Sequence, residues 1–169
     1  MEIGVGFGAN FSYYGTIKRL TLIEPDVIDA HDLNKKLEHV KAENILLIEK
    51  PIEEMALTPS SADAIVATLI FCSVTDPEQL LNVVHQTLKS GGKFFFLEHI
   101  RAKSFLQRTF QYIVNPFWHA ISGGCQCTRA TDVQLLSDPR FAVVSSDFFR
   151  TKAGFPWVKD HVIGVLEKI

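Results

Sequence analysis

Gly4, Gly6 and Gly8 stand on alternate residues just after Glu2-Ile3, where a strand is expected to hand over to a helix. Glycine lets a backbone turn sharply and approach a ligand closely, so this spacing points to a cofactor cradle. Glu24, at the end of the next apolar run, suits the other end of such a ligand, because a carboxylate accepts two hydrogen bonds from the ribose hydroxyls of an adenosine. Glu2 is expected beneath the loop, ordering its backbone and meeting the cofactor's amino group directly or through water. These residues do not choose the cofactor by themselves. Gly4, Gly6 and Ala9 also satisfy the dinucleotide pattern G-x-G-x-x-G/A with Glu24 about 20 residues on, the mark of an NAD-dependent oxidoreductase. Glu2, Gly8 and the order of the following elements favour a sulfonium methyl donor instead, and the bland alternative is a glycine turn of any α/β fold.

Further along, Pro51-Ile52-Glu53-Glu54-Met55 follows the third strand, where a backbone amide of Ile52 or Glu53 is a candidate to meet an adenine ring nitrogen. The three cysteines, Cys72, Cys125 and Cys127, are too few and too unevenly placed for a secreted disulfide framework, which implies free thiols in a reducing compartment. Cys125-x-Cys127 invites a zinc reading, but a structural site usually needs four ligands and there is no second cysteine pair, so no metal is expected.

Six short apolar runs must position these groups: Thr21 to Glu24, Ile45 to Glu49, Ala64 to Leu69, Lys93 to Glu98, Ala142 to Phe149 and His161 to Leu166. They read as buried strands. Asp76-Pro77 caps a helix over Glu78 to Leu88 with Leu80, Leu81, Val84 and Leu88 on one face, and Gly91-Gly92 is expected to end it. Thr128 precedes a second short helix, Arg129 to Leu136, which Asp138-Pro139 closes. Phe105 to Ile121, rich in aromatics, reads either as a lid helix or as core. The alternation of strands and helices predicts an α/β fold with a mostly parallel sheet.

With 47% apolar residues in 169, the chain can bury one sizeable core, and a single domain over 1–169 is expected. A formal charge of −2 and the lack of a basic stripe interleaved with aromatics argue against nucleic acid as a partner. No apolar run reaches the ~20 residues of a membrane span and no signal peptide is visible, so a cytoplasmic location is expected for the chain as written. Only Met1 to Ile3 precede the first glycine, which leaves the first strand short and suggests a truncated amino terminus.

The order of motifs resembles the class I methyltransferases of type 11. Asp63-Ala64-Ile65-Val66-Ala67-Thr68-Leu69 is similar to their fourth-strand motif. Leu88-Lys89-Ser90-Gly91-Gly92-Lys93-Phe94 is similar to their turn into the fifth strand, with Ser90 where proline is usual. A closer resemblance is to the methyltransferase-like-seven family of animal thiol methyltransferases. It is carried by Thr68-Leu69-Ile70-Phe71-Cys72-Ser73-Val74, Glu98-His99, Gly124-Cys125-Gln126-Cys127-Thr128-Arg129 and His161-Val162-Ile163-Gly164. The resemblance implies a Rossmann-like, seven-stranded sheet with an antiparallel last strand. It also implies S-adenosylmethionine held by Gly4, Gly6, Gly8, Glu24 and Thr68, and methyl transfer to the sulfur of small lipophilic thiols. Glu24 stands where aspartate is commoner, Gly123 where aspartate is frequent, and Cys127 where leucine is usual. The family's amino-terminal segment, which holds members on the endoplasmic reticulum or lipid droplets, has no counterpart here, and a longer form carrying it would take that location. A noncatalytic remnant of the fold is the competing reading.

Methyl transfer from a sulfonium is an in-line displacement, so the protein mainly has to place the acceptor and exclude water. A thiol with pKa ~8.5 is already partly ionised near neutrality, so a modest base is enough. His99 is the first candidate for that base, with Glu98 orienting it or facing the cofactor; a histidine satisfying backbone groups at a strand end is the alternative. Cys72 is a candidate contact for a sulfur acceptor or a small apolar filler. Trp118, with Phe117, is a candidate wall of an apolar acceptor pocket, ordinary core packing being the alternative. Arg129 is read as a helix cap or the partner of an acid.

Overall fold

The computed structural model describes residues 1–27, 29–152 and 154–169. Two compact units divide the chain, Met1–Leu57 and Thr58–Ile169.

In the first unit, β1 (Glu2–Ile3), β2 (Ile17–Ile23) and β3 (Ala42–Ile48) lie parallel in the order β3-β2-β1. Helix α1 (Ala30–Leu37) links β2 to β3, its first turn capped by the Asp29 carboxylate, which accepts from Asp32 N. Val5, Phe11, Leu20, Leu22 and Leu33 form the core of this unit, with Tyr14, Ile17 and Leu47 packed against it. The glycine loop does not pass into an α-helix as expected. A single 3-10 turn, Phe11–Tyr13, follows it, and Tyr14 is already extended. So few residues separate Gly8 from Ile17 that a full helix does not fit between them.

In the second unit, β4 (Ala62–Thr68), β5 (Leu88–His99), β6 (Phe141–Arg150) and β7 (Asp160–Lys168) pair in the order β4-β5-β7-β6. β4 and β5 are parallel, while β7 runs antiparallel to both β5 and β6. Helix α2 (Pro77–Thr87) starts as expected: the Asp76 carboxylate accepts from Glu78 N and Gln79 N, both at 3.0 Å. Its Leu80, Leu81 and Val84, and Leu88 just beyond, are all buried. Gly91-Gly92 does not end this helix. Thr87 O is taken by Ser61 N at 2.8 Å, Leu88 turns extended, and the glycines sit in an irregularity of β5 where the pairing with β4 shifts register.

Two expected strands are less buried than their sequences suggested. β3 is an edge strand of the first unit and β6 of the second, and Ile45, Leu46, Val143, Val144, Phe148 and Phe149 on them are exposed. Phe105 to Ile121 is a helix, α3, and Gln111 anchors it: its Oε1 accepts from Ala102 N and its Nε2 donates to Trp157 O, each at 2.8 Å. Much of its apolar surface faces outward, including Phe105, Leu106, Ile113, Phe117 and Ile121. Helix α4 (Thr131–Leu136) begins two residues later than expected, and the Arg129 carbonyl instead accepts from Arg101 N at 2.9 Å. Among the described residues no helix is long and apolar enough to cross a membrane.

Candidate active site

The glycine loop has the backbone its sequence demands. Gly4, Gly6 and Gly8 have φ of 73°, 51° and 70°, a left-handed region that favours glycine. Glu24, one residue beyond β2, reaches back to the loop: its Oε2 accepts from Gly6 N at 2.7 Å and its Oε1 from Asp26 N at 3.3 Å. A side chain at Gly6 would meet nothing within 4 Å, so open space lies against the loop at this point. Gly8 differs, since a Cβ there would come within 2.7 Å of the Phe11 ring. Beneath the loop, the buried Glu2 carboxylate accepts from Asn10 Nδ2 at 2.9 Å and from Tyr14 Oη at 2.6 Å. Burial pushes the Glu2 carboxyl above its ordinary range against the pull of these two donors. Burial and the neighbouring Glu2 likewise hold the Tyr14 hydroxyl protonated. Lys36 Nζ donates to Phe7 O at 2.8 Å and fixes the loop's far side.

The second unit carries a polar cluster around the ends of β4 and β5. Thr68 is the last residue of β4. Leu69 follows with φ of 58°, unusual for a branched side chain, while its N–H donates to Leu97 O at 2.8 Å. This turn aims Ile70 N and Phe71 N at Glu98 Oε1, at 2.7 and 2.9 Å. Glu98 is fully buried, and desolvation lifts its carboxyl to about 8 despite those donors. His99, next along the strand and so on its opposite face, puts Nε2 at 2.7 Å from Cys125 Sγ. Trp118 Nε1 donates to the same sulfur at 3.1 Å. Gly123 and Gly124, with φ of 64° and 84°, turn the chain after α3 and bring Cys125 to this position. The Cys72 thiol also interacts with Cys125. Hydrogen bonding from Cys72 holds the Cys125 thiol well below its ordinary value, and the same bond pushes Cys72 up, so the pair favours one thiolate and one thiol.

The sequence profile of the methyltransferase domain of type 11 matches residues 1–96. Thiol S-methyltransferase TMT1A of Homo sapiens is 30% identical over 173 residues, covering 99% of this chain and 70% of that protein. This chain belongs to the methyltransferase domain family. Thiol S-methyltransferase TMT1B of Rattus norvegicus is 35% identical over 136 residues, so the match spans 78% of this chain and about half, 55%, of that relative. A solved SAM-dependent methyltransferase from Methanosarcina mazei superposes with a TM-score of 0.70 over 99% of this chain and 91% of its own, at 16% identity, a likeness of fold. The methyltransferase domain is therefore of the Rossmann-like α/β class, with its last strand antiparallel, and S-adenosylmethionine is its cofactor.

Within this domain the structure brings Glu24 to the loop of Gly4, Gly6 and Gly8, with Glu2 below. Ile52 and Glu53 fall in a 3-10 turn, Ile52 buried and Glu53 exposed. Cys72, His99, Cys125 and Trp118 come together, whereas Glu98 turns to the backbone after β4 rather than to His99. Trp118 is half-buried against Phe155 and Trp157, and Phe117 is exposed rather than core. Arg129 neither caps a helix nor pairs with an acid: its guanidinium donates to Phe71 O at 2.6 Å and Val74 O at 2.7 Å, bracing the segment that carries Cys72. The two close cysteines part company, Cys127 Sγ facing Asn115 Oδ1 at 3.3 Å. Sequence reasoning missed Asn10 and Tyr14, although a buried acid at position 2 called for nearby donors. It also missed Cys125 as the partner of His99, for which no local signal existed.

Proposed function

We propose that this chain methylates the sulfur of a small lipophilic thiol, holding S-adenosylmethionine on the Gly4 to Gly8 loop. The observation that carries the cofactor side is the Gly6 N–H bond to Glu24 across 18 residues of sequence, beside open space at Gly6. A carboxylate already fixed at the loop is placed to take ribose hydroxyls, and the left-handed glycines let the backbone approach the ligand. In this reading Ile52 and Glu53 border the adenine, and Glu2 keeps the loop rigid from below. Bound there, the cofactor supplies an electrophilic methyl group on a sulfonium.

The thiol acceptor rests on the relatives' names and on a sulfur-rich cluster rather than on a docked ligand. Cys72 and Trp118 are proposed to contact the acceptor. His99 is proposed to serve the same end through its contact with Cys125, since Nε2 is engaged there and Glu98 does not reach it. Glu98 acts as a positioning residue that fixes the Ile70-Phe71 backbone.

Calorimetric titration with S-adenosylhomocysteine tests the cofactor site. Glu24→Ala removes two hydrogen bonds to an ionised group, each worth ~1.5 kcal/mol at a half-exposed position, so affinity falls about 100-fold. A nicotinamide dinucleotide is expected not to bind. Failure of the folded chain to bind S-adenosylhomocysteine, or unchanged affinity in the variant, would sink the assignment. A screen of alkyl thiols against phenols and amines then reads the acceptor.

A further inference from the structure

Cys72, His99 and Cys125 form a cluster whose full donor set methyl transfer does not call for. All three are buried, and one ligand atom from each lies within 4.8 Å of the others. Three separate elements deliver them: the segment after β4, the end of β5 and the glycine turn after α3. The donors are two sulfurs and an imidazole, while the neighbouring Glu98 accepts from two backbone amides through its Oε1. A set of sulfur and nitrogen without oxygen matches a borderline-soft cation, and three protein ligands are the number that leaves a tetrahedral position open.

We propose that Cys72 Sγ, Cys125 Sγ and His99 Nε2 bind a zinc ion whose fourth position takes an exogenous thiolate. The three-residue site stands by itself; the fourth ligand rests on the thiol reading above. Tetrahedral bond lengths ask for about 3.8 Å between the sulfurs and about 3.6 Å between Cys125 Sγ and the imidazole nitrogen. The observed 2.7 Å contact therefore opens by roughly 0.9 Å as a hydrogen bond is exchanged for two bonds to the ion. Both sulfurs have outer contacts: Trp118 Nε1 donates to Cys125 Sγ, and Ser73 Oγ lies 3.4 Å from Cys72 Sγ. The Arg129 guanidinium, which interacts electrostatically with both sulfurs, balances the negative charge that a third thiolate adds. The Cys72 thiol releases its proton to solvent as the ion binds, and an incoming thiol does the same as its sulfur takes the fourth position, so no separate base is needed.

The test uses the full chain, reduced and then titrated with cobalt(II) and, against a chromophoric chelator, with zinc. One equivalent is expected to bind, with a sulfur-to-cobalt charge-transfer band and tetrahedral d–d bands. Cys72→Ser and Cys125→Ser are each expected to weaken zinc by at least about 100-fold, and Cys127→Ser to leave it unchanged. A small alkyl thiol should then shift the d–d bands while the corresponding thioether does not. A folded, reduced chain that binds neither ion, or that binds equally well as Cys125→Ser, overturns the metal site. Stoichiometric binding without a thiol response overturns the fourth-ligand assignment. S-adenosylhomocysteine affinity of the same sample, before and after chelation, is expected to be unchanged, so failure of the cofactor reading is seen separately.

Discussion

Replacing Tyr14 by phenylalanine tests whether Glu2 is an ionised post beneath the cofactor loop. Glu2 is 1% exposed, and its carboxylate has Tyr14 Oη at 2.6 Å and Asn10 Nδ2 at 2.9 Å. A hydrogen bond to an ionised group contributes ~1.5–3 kcal/mol, and the short O–H···O contact belongs in the upper part of that range, about 2.5 kcal/mol. When Glu2 is protonated the bond is neutral and contributes ~1 kcal/mol. The variant therefore loses about 2.5 kcal/mol at pH 8 and about 1 kcal/mol at pH 4, a gap equivalent to roughly a tenfold change in the proton affinity of Glu2. The sign follows from linkage. Glu2 has a folded value raised from 4.5, so it contributes stability that is fully present below that pH and is lost as pH climbs through the raised value. Removing Tyr14 takes away a group that lowers the Glu2 value, raises it further and deepens the loss on the alkaline side. Urea denaturation followed by circular dichroism at both pH values measures this. A loss under about 0.5 kcal/mol, or one equal at the two pH values, would show that Glu2 is neutral or that Tyr14 does not bind it.

Arg129→Ala should cost about 3 kcal/mol, from two charge-assisted bonds to the Phe71 and Val74 carbonyls, and lower the melting temperature by about 6–12 °C. Arg129→Lys, which keeps the charge but not the fork of donors, should recover only part of that in the same thermal melt. Gly164→Ala should destabilise by about 2 kcal/mol in denaturant, because the added Cβ falls 2.6 Å from Phe96 Cζ and 2.9 Å from the backbone oxygen Ser145 O, which cannot swing aside. An unchanged midpoint in either protein would mean that the contact relaxes without cost.

Where a feature depends on neighbours in sequence, it was legible. The Asp76-Pro77 cap of α2 and the apolar face that follows it rest on local chemistry and stand as expected, and the loop glycines take left-handed backbone although no α-helix follows them. Expectations failed where tertiary pairing overrode a local signal. Gly91-Gly92 reads as a helix stop, but the amide of Ser61 takes the helix's terminal carbonyl first and the glycines go to β5. Edge position exposes β3 and β6, which composition alone cannot separate from central strands.

The cysteines show the limit most clearly. Cys125 and Cys127 are two residues apart, and sequence spacing invites a shared site. After Gly123-Gly124 the chain presents Cys125 toward His99, while Cys127 faces Asn115, so proximity in sequence becomes separation in chemistry. Conversely, Cys72, His99 and Cys125 share no spacing rule, because they come from the segment after β4, the end of β5 and the turn after α3, which only tertiary packing brings together. A ligand count made along the chain finds one cysteine pair and rejects zinc; the same count made in space finds two sulfurs and a nitrogen within 4.8 Å. The cobalt titration decides which count describes the chemistry.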